Sequence, residues 1–156
     1  MQNAWKEPLL AAALFVGLGV LLFSITPAKE TNPYNGPMIV AERILDGQSD
    51  IPARITWMEF FTYEGKRYLG YPPMATLILV PYAMVGGGTL GQTVFNTGLI
   101  LATAFLLFRI FAGIPELRPL RFVAPVLYAL GTPVLYSATV GSVWLLMHSE
   151  ANFFLA

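Results

Sequence analysis

Three long stretches of this chain carry no charged side chain, and they constrain its fold more than any other feature. They run from Pro8 to Ala28, from Tyr68 to Phe108 and from Phe122 to Ser149. About 20 apolar residues in a helix cross the hydrocarbon core of a bilayer, which is roughly 30 Å thick. The sequence therefore predicts an all-α integral membrane protein, a polytopic helical bundle with a large extracytoplasmic first loop.

Composition supports this prediction and excludes several classes of site. The 156 residues are 56% hydrophobic and 12% charged, whereas about a quarter of the residues in soluble domains are charged. The formal net charge of +0 gives no electrostatic basis for binding nucleic acid. With no Cys and 1 His, the chain has no disulfides, no thiolate metal site and no site built from several histidines.

The predicted organisation is a single membrane domain over residues 1–156, and the chain stops inside an apolar run. That ending predicts a fragment of a longer polytopic protein. A cleaved signal peptide is the alternative for the first span, because Thr26-Pro27-Ala28 loosely resembles a cleavage site. Residues 27–73 form the extracytoplasmic loop, and 74–85 is too short to cross a bilayer and is predicted to be interfacial or re-entrant. The predicted spans are about 9–26, 90–111, 121–139 and 141–156.

The orientation follows from the positive charges that flank the second span. The end of the second span and the short connection after it contain three arginines and one glutamate, namely Arg109, Arg118, Arg121 and Glu116. Such an excess of Arg marks a cytoplasmic loop by the positive-inside rule. Alternation then predicts a cytoplasmic N-terminus and an extracytoplasmic loop 27–73.

The first loop contains the acidic residues that could act on a substrate. Pro37 is predicted to begin a short helix that ends at Gly47. This helix carries Glu42 and Asp46 on one face, because they are four residues apart. A carboxylate facing a membrane-bounded cavity could serve as a general base, or it could hold a divalent cation against a substrate phosphate. The alternative is that these are solvated surface charges. The loop carboxylates are Glu30, Glu42, Asp46, Asp50, Glu59 and Glu64.

Basic and aromatic residues follow in the same loop. Glu64-Gly65 is predicted as a turn between two strand-like segments. Beyond it come Lys66, Arg67 and Tyr68, with Tyr71 before a double proline. Lys and Arg at this depth can bind a lipid-linked phosphate, and interfacial anchoring explains the same composition.

His148 and Glu150 lie inside the fourth apolar run. Ionisable residues within the membrane are costly, and they usually face a cavity or a partner. A hydrogen bond between packed helices is the alternative role for such residues.

Several segments together resemble a known family. They read AERILDG, GKRYLGYPPMATLILVP, GQTVFN and GTPVLYSATVGSVWLLMH. The order resembles the N-terminal part of bacterial C-type membrane glycosyltransferases, which are polytopic and use polyprenyl-phosphate sugars. These enzymes are related to protein O-mannosyltransferases and to the aminoarabinose transferases of lipid A. The resemblance covers most of the chain from residue 30 onward and only the first part of such an enzyme.

The resemblance implies inverting sugar transfer from a polyprenyl-phosphate donor at the outer face of the bacterial inner membrane. Its partners would be that lipid-linked sugar, membrane lipids and an unknown acceptor. Where the family carries an early Asp-Glu pair, this chain reads Asn32-Pro33-Tyr34-Asn35. The base would then be Glu42, Asp46 or Glu59. Lys66, Arg67 and Tyr68 would bind the donor phosphate, and the residues lining the cavity would be Tyr71, Trp144 and His148.

Two other functions fit the same sequence. A transporter or flippase for lipid-linked saccharides suits the broken apolar segments and the intramembrane His148. A non-catalytic membrane subunit, whose loop binds a partner, suits a chain of only four spans.

Overall fold

The computed structural model describes residues 6–26, 35–53, 55–56, 59–131, 133–140 and 143–156. Within these ranges the chain is mostly helical, with one β-hairpin. Single turns of 3₁₀ helix lie at Gly87–Thr89 and Arg118–Leu120. The helices are α1 (Lys6–Ile25), α2 (Gly36–Leu45), α3 (Pro73–Met84), α4 (Gln92–Gly113), α5 (Val123–Leu130), α6 (Val134–Val140) and α7 (Val143–Leu155), and the strands are β1 (Phe60–Tyr63) and β2 (Lys66–Leu69).

Helices α1 and α4 are long and apolar enough to cross a membrane, with 20 and 22 residues. They pack antiparallel: Thr26, just after α1, meets Thr97 near the start of α4, with their hydroxyl oxygens 2.8 Å apart. At the opposite end, Glu7 pairs with Arg121, beyond the end of α4, at 2.9 Å. The two helices join α5 in a core of buried side chains that comprises Leu18, Leu22, Ile100 and Ala129.

The segment predicted as one span over 121–139 is two helices in the structure. The amide of Gly131 donates to Leu127 O at 2.8 Å and closes α5. Pro133 has no amide hydrogen, so the α5 ladder cannot continue through it. Helix α6 then begins from the Pro133 carbonyl, which accepts the Ser137 amide at 3.0 Å. The predicted span over 121–139 therefore contains a break between α5 and α6, and whether this segment crosses the membrane stays a prediction.

Helix α2, the β-hairpin and α3 form a folded layer, the loop layer, at the Thr26 end of α1. Helix α2 has Pro37 in its first turn, where the missing amide is tolerated. It packs on the 12-residue helix α3 through a core of Met38, Ala41, Ala75, Leu79 and Leu146. Because Leu146 belongs to α7, this core joins the loop layer to the last helix.

The predicted turn of the hairpin is confirmed. Glu64 and Gly65 both have positive φ, at 48° and 75°. Positive φ at both central residues defines a two-residue type I′ turn, whose twist matches that of paired strands. The strands pair antiparallel, with Tyr63 opposite Lys66 and Phe61 opposite Tyr68.

Candidate functional site

The acidic residues of α2 lie at the edge of its buried face, because Glu42 follows the core residue Met38 by one helical turn. Glu42 and Asp46 are both exposed, whereas Met38 and Ala41 are in the core. The Glu42 carboxylate lies directly against Gly88, so closely that a Cβ at Gly88 would overlap Glu42 Oε1. The glycine-rich turn between α3 and α4 therefore leaves room for this one carboxylate.

A second carboxylate, Asp50, is held by an ion pair. Arg43 Nη2 donates to Asp50 Oδ1 at 2.9 Å, and Arg43 Nε donates to the Asp50 carbonyl. The hydrogen bond from Arg43 holds the pKa of Asp50 below its usual value, and the positive charge of Lys66 adds to this effect. Asp50 is therefore charged at neutral pH and closes the loop after α2.

We expect the loop after α2 to loosen only in acid. Because the pKa of Asp50 is lowered on folding, its contribution to stability is present above its ordinary pKa of 3.8 and is lost as pH falls through the folded pKa. Carboxyl NMR titration should give a pKa for Asp50 below 3.8. In Arg43→Gln the pKa should return toward the ordinary value, and an unchanged pKa in that variant would contradict the assignment.

Arg67 fastens the hairpin to the preceding loop. Its guanidinium donates to Ile55 O at 2.8 Å and to Pro52 O. It also lies over the Phe60 ring, 4.7 Å from the ring centroid. Two of its nitrogens are thus used within the protein, which is a structural role that the sequence did not indicate.

Lys66 differs from its neighbour. Its side chain is exposed, and within the described ranges it forms no ion pair at contact distance. Of the two cations predicted to bind the donor phosphate, Lys66 is the one whose charged group remains available to a ligand.

A cavity of about 350 Å³ opens between α2, the hairpin and the start of α3. It brings together Tyr68 and Tyr71, two of the predicted site residues, and Tyr68 stacks on Phe61 with ring centroids 5.6 Å apart. Its walls are predominantly apolar, so it suits a hydrophobic group with one polar end. The lining residues are Val40, Ile44, Ser49, Phe61, Tyr68, Leu69, Tyr71, Pro73, Thr76 and Leu77.

The three candidate bases lie in different positions around this cavity. Val40 and Ile44 face it from α2, and Glu42 lies two residues from each, about 200° around the helix. Glu42 and the cavity are therefore on opposite sides of α2. Asp46 follows the last residue of that helix. Glu59 is exposed beside the hairpin, where its carbonyl accepts the Gly70 amide at 3.1 Å, next to Tyr71.

His148, one of the two predicted residues of α7, is not brought to this cavity. His148 is exposed and is absent from the cavity lining. The Trp144 side chain lies outside the described residues, as do Glu30 and the stretch 32–34. Glu150 is buried at 5% exposure, and its Oε1 has no hydrogen-bond partner among the described residues.

The first turns of α4 hold a polar layer to which sequence reasoning assigned no role. Gln92, Thr93, Asn96 and Thr97 are all at 0% exposure. Asn96 Nδ2 donates to the Ser137 carbonyl of α6 at 2.7 Å. Their spacing puts four polar residues on one face of an otherwise apolar helix, and this pattern in the sequence could have indicated the layer.

No family model, no curated protein and no solved structure matches this chain. Within the described ranges, no group of three His, Cys, Asp or Glu side chains is arranged to hold a metal ion. The predicted divalent cation has no such group in the described residues to support it and stays a prediction.

Proposed function

We propose that this protein is an integral membrane glycosyltransferase. It would transfer a sugar from a polyprenyl-phosphate donor to an acceptor at the extracytoplasmic face. The resemblance of its segments to C-type glycosyltransferases suggests this chemistry. The aromatic cavity between α2 and the hairpin is the observation that carries the proposal, since it offers an apolar slot lined by Tyr68. Lys66 lies two residues earlier on the same strand and forms no ion pair among the described residues.

The two ends of the helix pair support the orientation. Arg118 and Arg121 lie at the Glu7 end of α1, and such an arginine cluster is typical of the cytoplasmic side. Thr26 and Thr97 meet at the opposite end, which is also the end where the loop layer packs. The cavity, Lys66 and the candidate bases would then share the extracytoplasmic side.

The proposed reaction is a single displacement at the anomeric carbon of the donor sugar. A loop carboxylate accepts the proton of the acceptor hydroxyl or amine as that group attacks. The bond between the anomeric carbon and the phosphate oxygen breaks, and the configuration inverts. Polyprenyl phosphate leaves with the electron pair of that bond, and Lys66 stabilises its negative charge.

Each part of the loop layer has a task in this scheme. The apolar walls of the cavity would take the first isoprene units of the donor, and Tyr68 and Tyr71 would contact the sugar or phosphate. Arg67 would act as a positioning residue, because its bonds to the carbonyls of Pro52 and Ile55 hold Lys66 and Tyr68 in register. Glu42, Asp46 and Glu59 are the candidates for the base.

A transfer assay in detergent tests the proposal. The whole purified protein would be mixed with a polyprenyl-phosphate hexose that carries a radiolabelled sugar. Membranes from cells lacking the protein would supply the acceptor. We expect label to move to the acceptor with release of polyprenyl phosphate, and the same membranes without the protein are the control. No transfer at any acceptor concentration would contradict the proposal.

A flippase for lipid-linked saccharide is the second candidate, favoured by two observations. The break between α5 and α6 and the buried carboxylate of Glu150 both resemble features of transporters. A flippase moves its substrate only across a sealed bilayer and forms no new glycosidic bond. Movement in sealed vesicles together with no transfer in detergent would select it.

A further inference from the structure

A second cavity lies at the opposite end of the molecule, between the start of α1 and the end of α4. It encloses about 510 Å³ and shares no residue with the cavity beside the hairpin. The space exists because several lining side chains are small, and three phenylalanines close one end of it. The centroid of the Phe15 ring lies 5.4 Å from that of Phe105 and 5.7 Å from that of Phe108. The lining residues are Glu7, Pro8, Ala11, Ala12, Phe15, Phe105, Phe108, Arg109 and Ala112.

The rim of this cleft is positively charged. Glu7 is already paired, with Arg121 at 2.9 Å and with Arg118 at 3.4 Å. Arg109 lines the cleft and is exposed, and among the described residues no carboxylate lies within ion-pair distance of it. The rim therefore presents one uncompensated guanidinium directly beside apolar walls.

We propose that this cleft binds an anionic phospholipid of the cytoplasmic leaflet, with one acyl chain between α1 and α4 and the phosphate on Arg109. The inference rests on membrane insertion as proposed above and not on glycosyl transfer. Apolar walls match a methylene chain, and the cation at the rim matches a phosphate. Basic pockets between membrane helices on the cytoplasmic side are typical of anionic lipid sites.

Charge complementarity favours this occupant over others. The basic residues at this end of the folded molecule outnumber the acidic ones: they are Lys6, Arg109, Arg118 and Arg121, against Glu7 and Glu116. A zwitterionic lipid carries its own ammonium group, which the basic rim would repel. A protein helix with a purely apolar face would leave Arg109 without a counter-ion in a region of low dielectric.

Native mass spectrometry of the whole protein in detergent tests the proposal. The protein would be titrated with phosphatidylglycerol and, separately, with phosphatidylcholine of the same acyl chains. We expect phosphatidylglycerol to bind with a defined stoichiometry and at least about fivefold more tightly, since one basic residue contributes a factor of this size. Arg109→Gln should remove this preference, and Arg109→Lys should keep most of it.

Two matched substitutions distinguish lipid binding in the cleft from binding elsewhere on the lipid-facing surface. Ala12→Leu puts a larger side chain into the cleft, whereas Ala13→Leu makes the same change on an exposed neighbour that does not line it. We expect phosphatidylglycerol binding to fall in Ala12→Leu and to stay unchanged in Ala13→Leu. Thermal unfolding of both variants in detergent checks that they remain folded.

Three results would overturn the proposal. Equal binding of the two lipids would remove the role of the anionic headgroup. Equal binding to the wild type and Arg109→Gln would remove the role of the arginine. A photo-crosslinker at position 12 that labels protein, in another segment or a second copy, and not lipid would assign the cleft to a protein contact. None of these results depends on transfer activity, so they are distinguishable from a failure of the proposed enzyme.

Discussion

Glu59→Gln is expected to lower the rate of sugar transfer at least about 100-fold, because general base catalysis contributes roughly that factor or more. Gln preserves the shape of the side chain and cannot accept a proton from the acceptor. Among the three candidate bases, Glu59 is the one whose backbone is anchored beside the cavity, because its carbonyl accepts the Gly70 amide next to Tyr71. A base must lie within reach of the acceptor to act, so the largest loss is expected there.

Asp46→Asn and Glu42→Gln are the matched comparisons in the same transfer assay. Both carboxylates are exposed, and each variant removes one negative charge from the same loop, as Glu59→Gln does. We expect losses of less than about tenfold from these two, below the contribution of a general base. Full activity of Glu59→Gln with a large loss at either other position would move the base to that residue. Full activity in all three variants would end the carboxylate mechanism.

Gly88→Ala provides a geometric check on the same assignment. The new methyl group would overlap the Glu42 carboxylate, which lies at the end of a flexible side chain and can rotate away. Because Glu42 lies across α2 from the cavity, we expect the protein to fold and to keep its transfer activity, and a loss of transfer would return the base to Glu42. Gly98→Ala in α4, where nothing lies within 4 Å of the added methyl group, is the control and should keep its activity.

Leu79→Ala is expected to destabilise the protein by about 2–5 kcal/mol, which is the range for a buried Leu in a packed core. Leu79 is at 0% exposure and packs where α2, α3 and α7 meet. Its truncation leaves a cavity at the junction that holds the loop layer on the rest of the chain. A fall in the midpoint of thermal unfolding in detergent measures the effect.

Leu77→Ala is the control for this prediction. Leu77 lies on the same helix and is 53% exposed, so its truncation removes little buried surface and should cost less than about 1 kcal/mol. Equal destabilisation by the two variants would mean that the α2–α3–α7 core does not hold the layer. Transfer activity should fall with stability in Leu79→Ala, because the cavity beside the hairpin is formed by the same layer.

Local sequence signals determined several elements directly. Uncharged apolar runs predict helices where α1 and α4 lie, because nothing in them interrupts the helical ladder. Pro37 and the Glu64-Gly65 pair fixed the start of α2 and the turn of the hairpin, because a missing amide and two positive φ angles are tolerated in few backbone positions. Pro133 also indicates the break between α5 and α6, because it has no amide hydrogen to continue the ladder.

Only the tertiary structure decided which side chains meet. In the folded chain Glu42 contacts Gly88, and the Arg67 guanidinium donates hydrogen bonds to loop carbonyls. The cavity lies on the side of α2 that carries Val40 and Ile44. The tertiary structure also left Arg109 unpaired among the described residues while Glu7 took two other arginines. Periodicity and turn chemistry act over a few residues, so the sequence by itself determined the elements. The contacts depend on how distant elements pack, and only the folded chain specifies that packing.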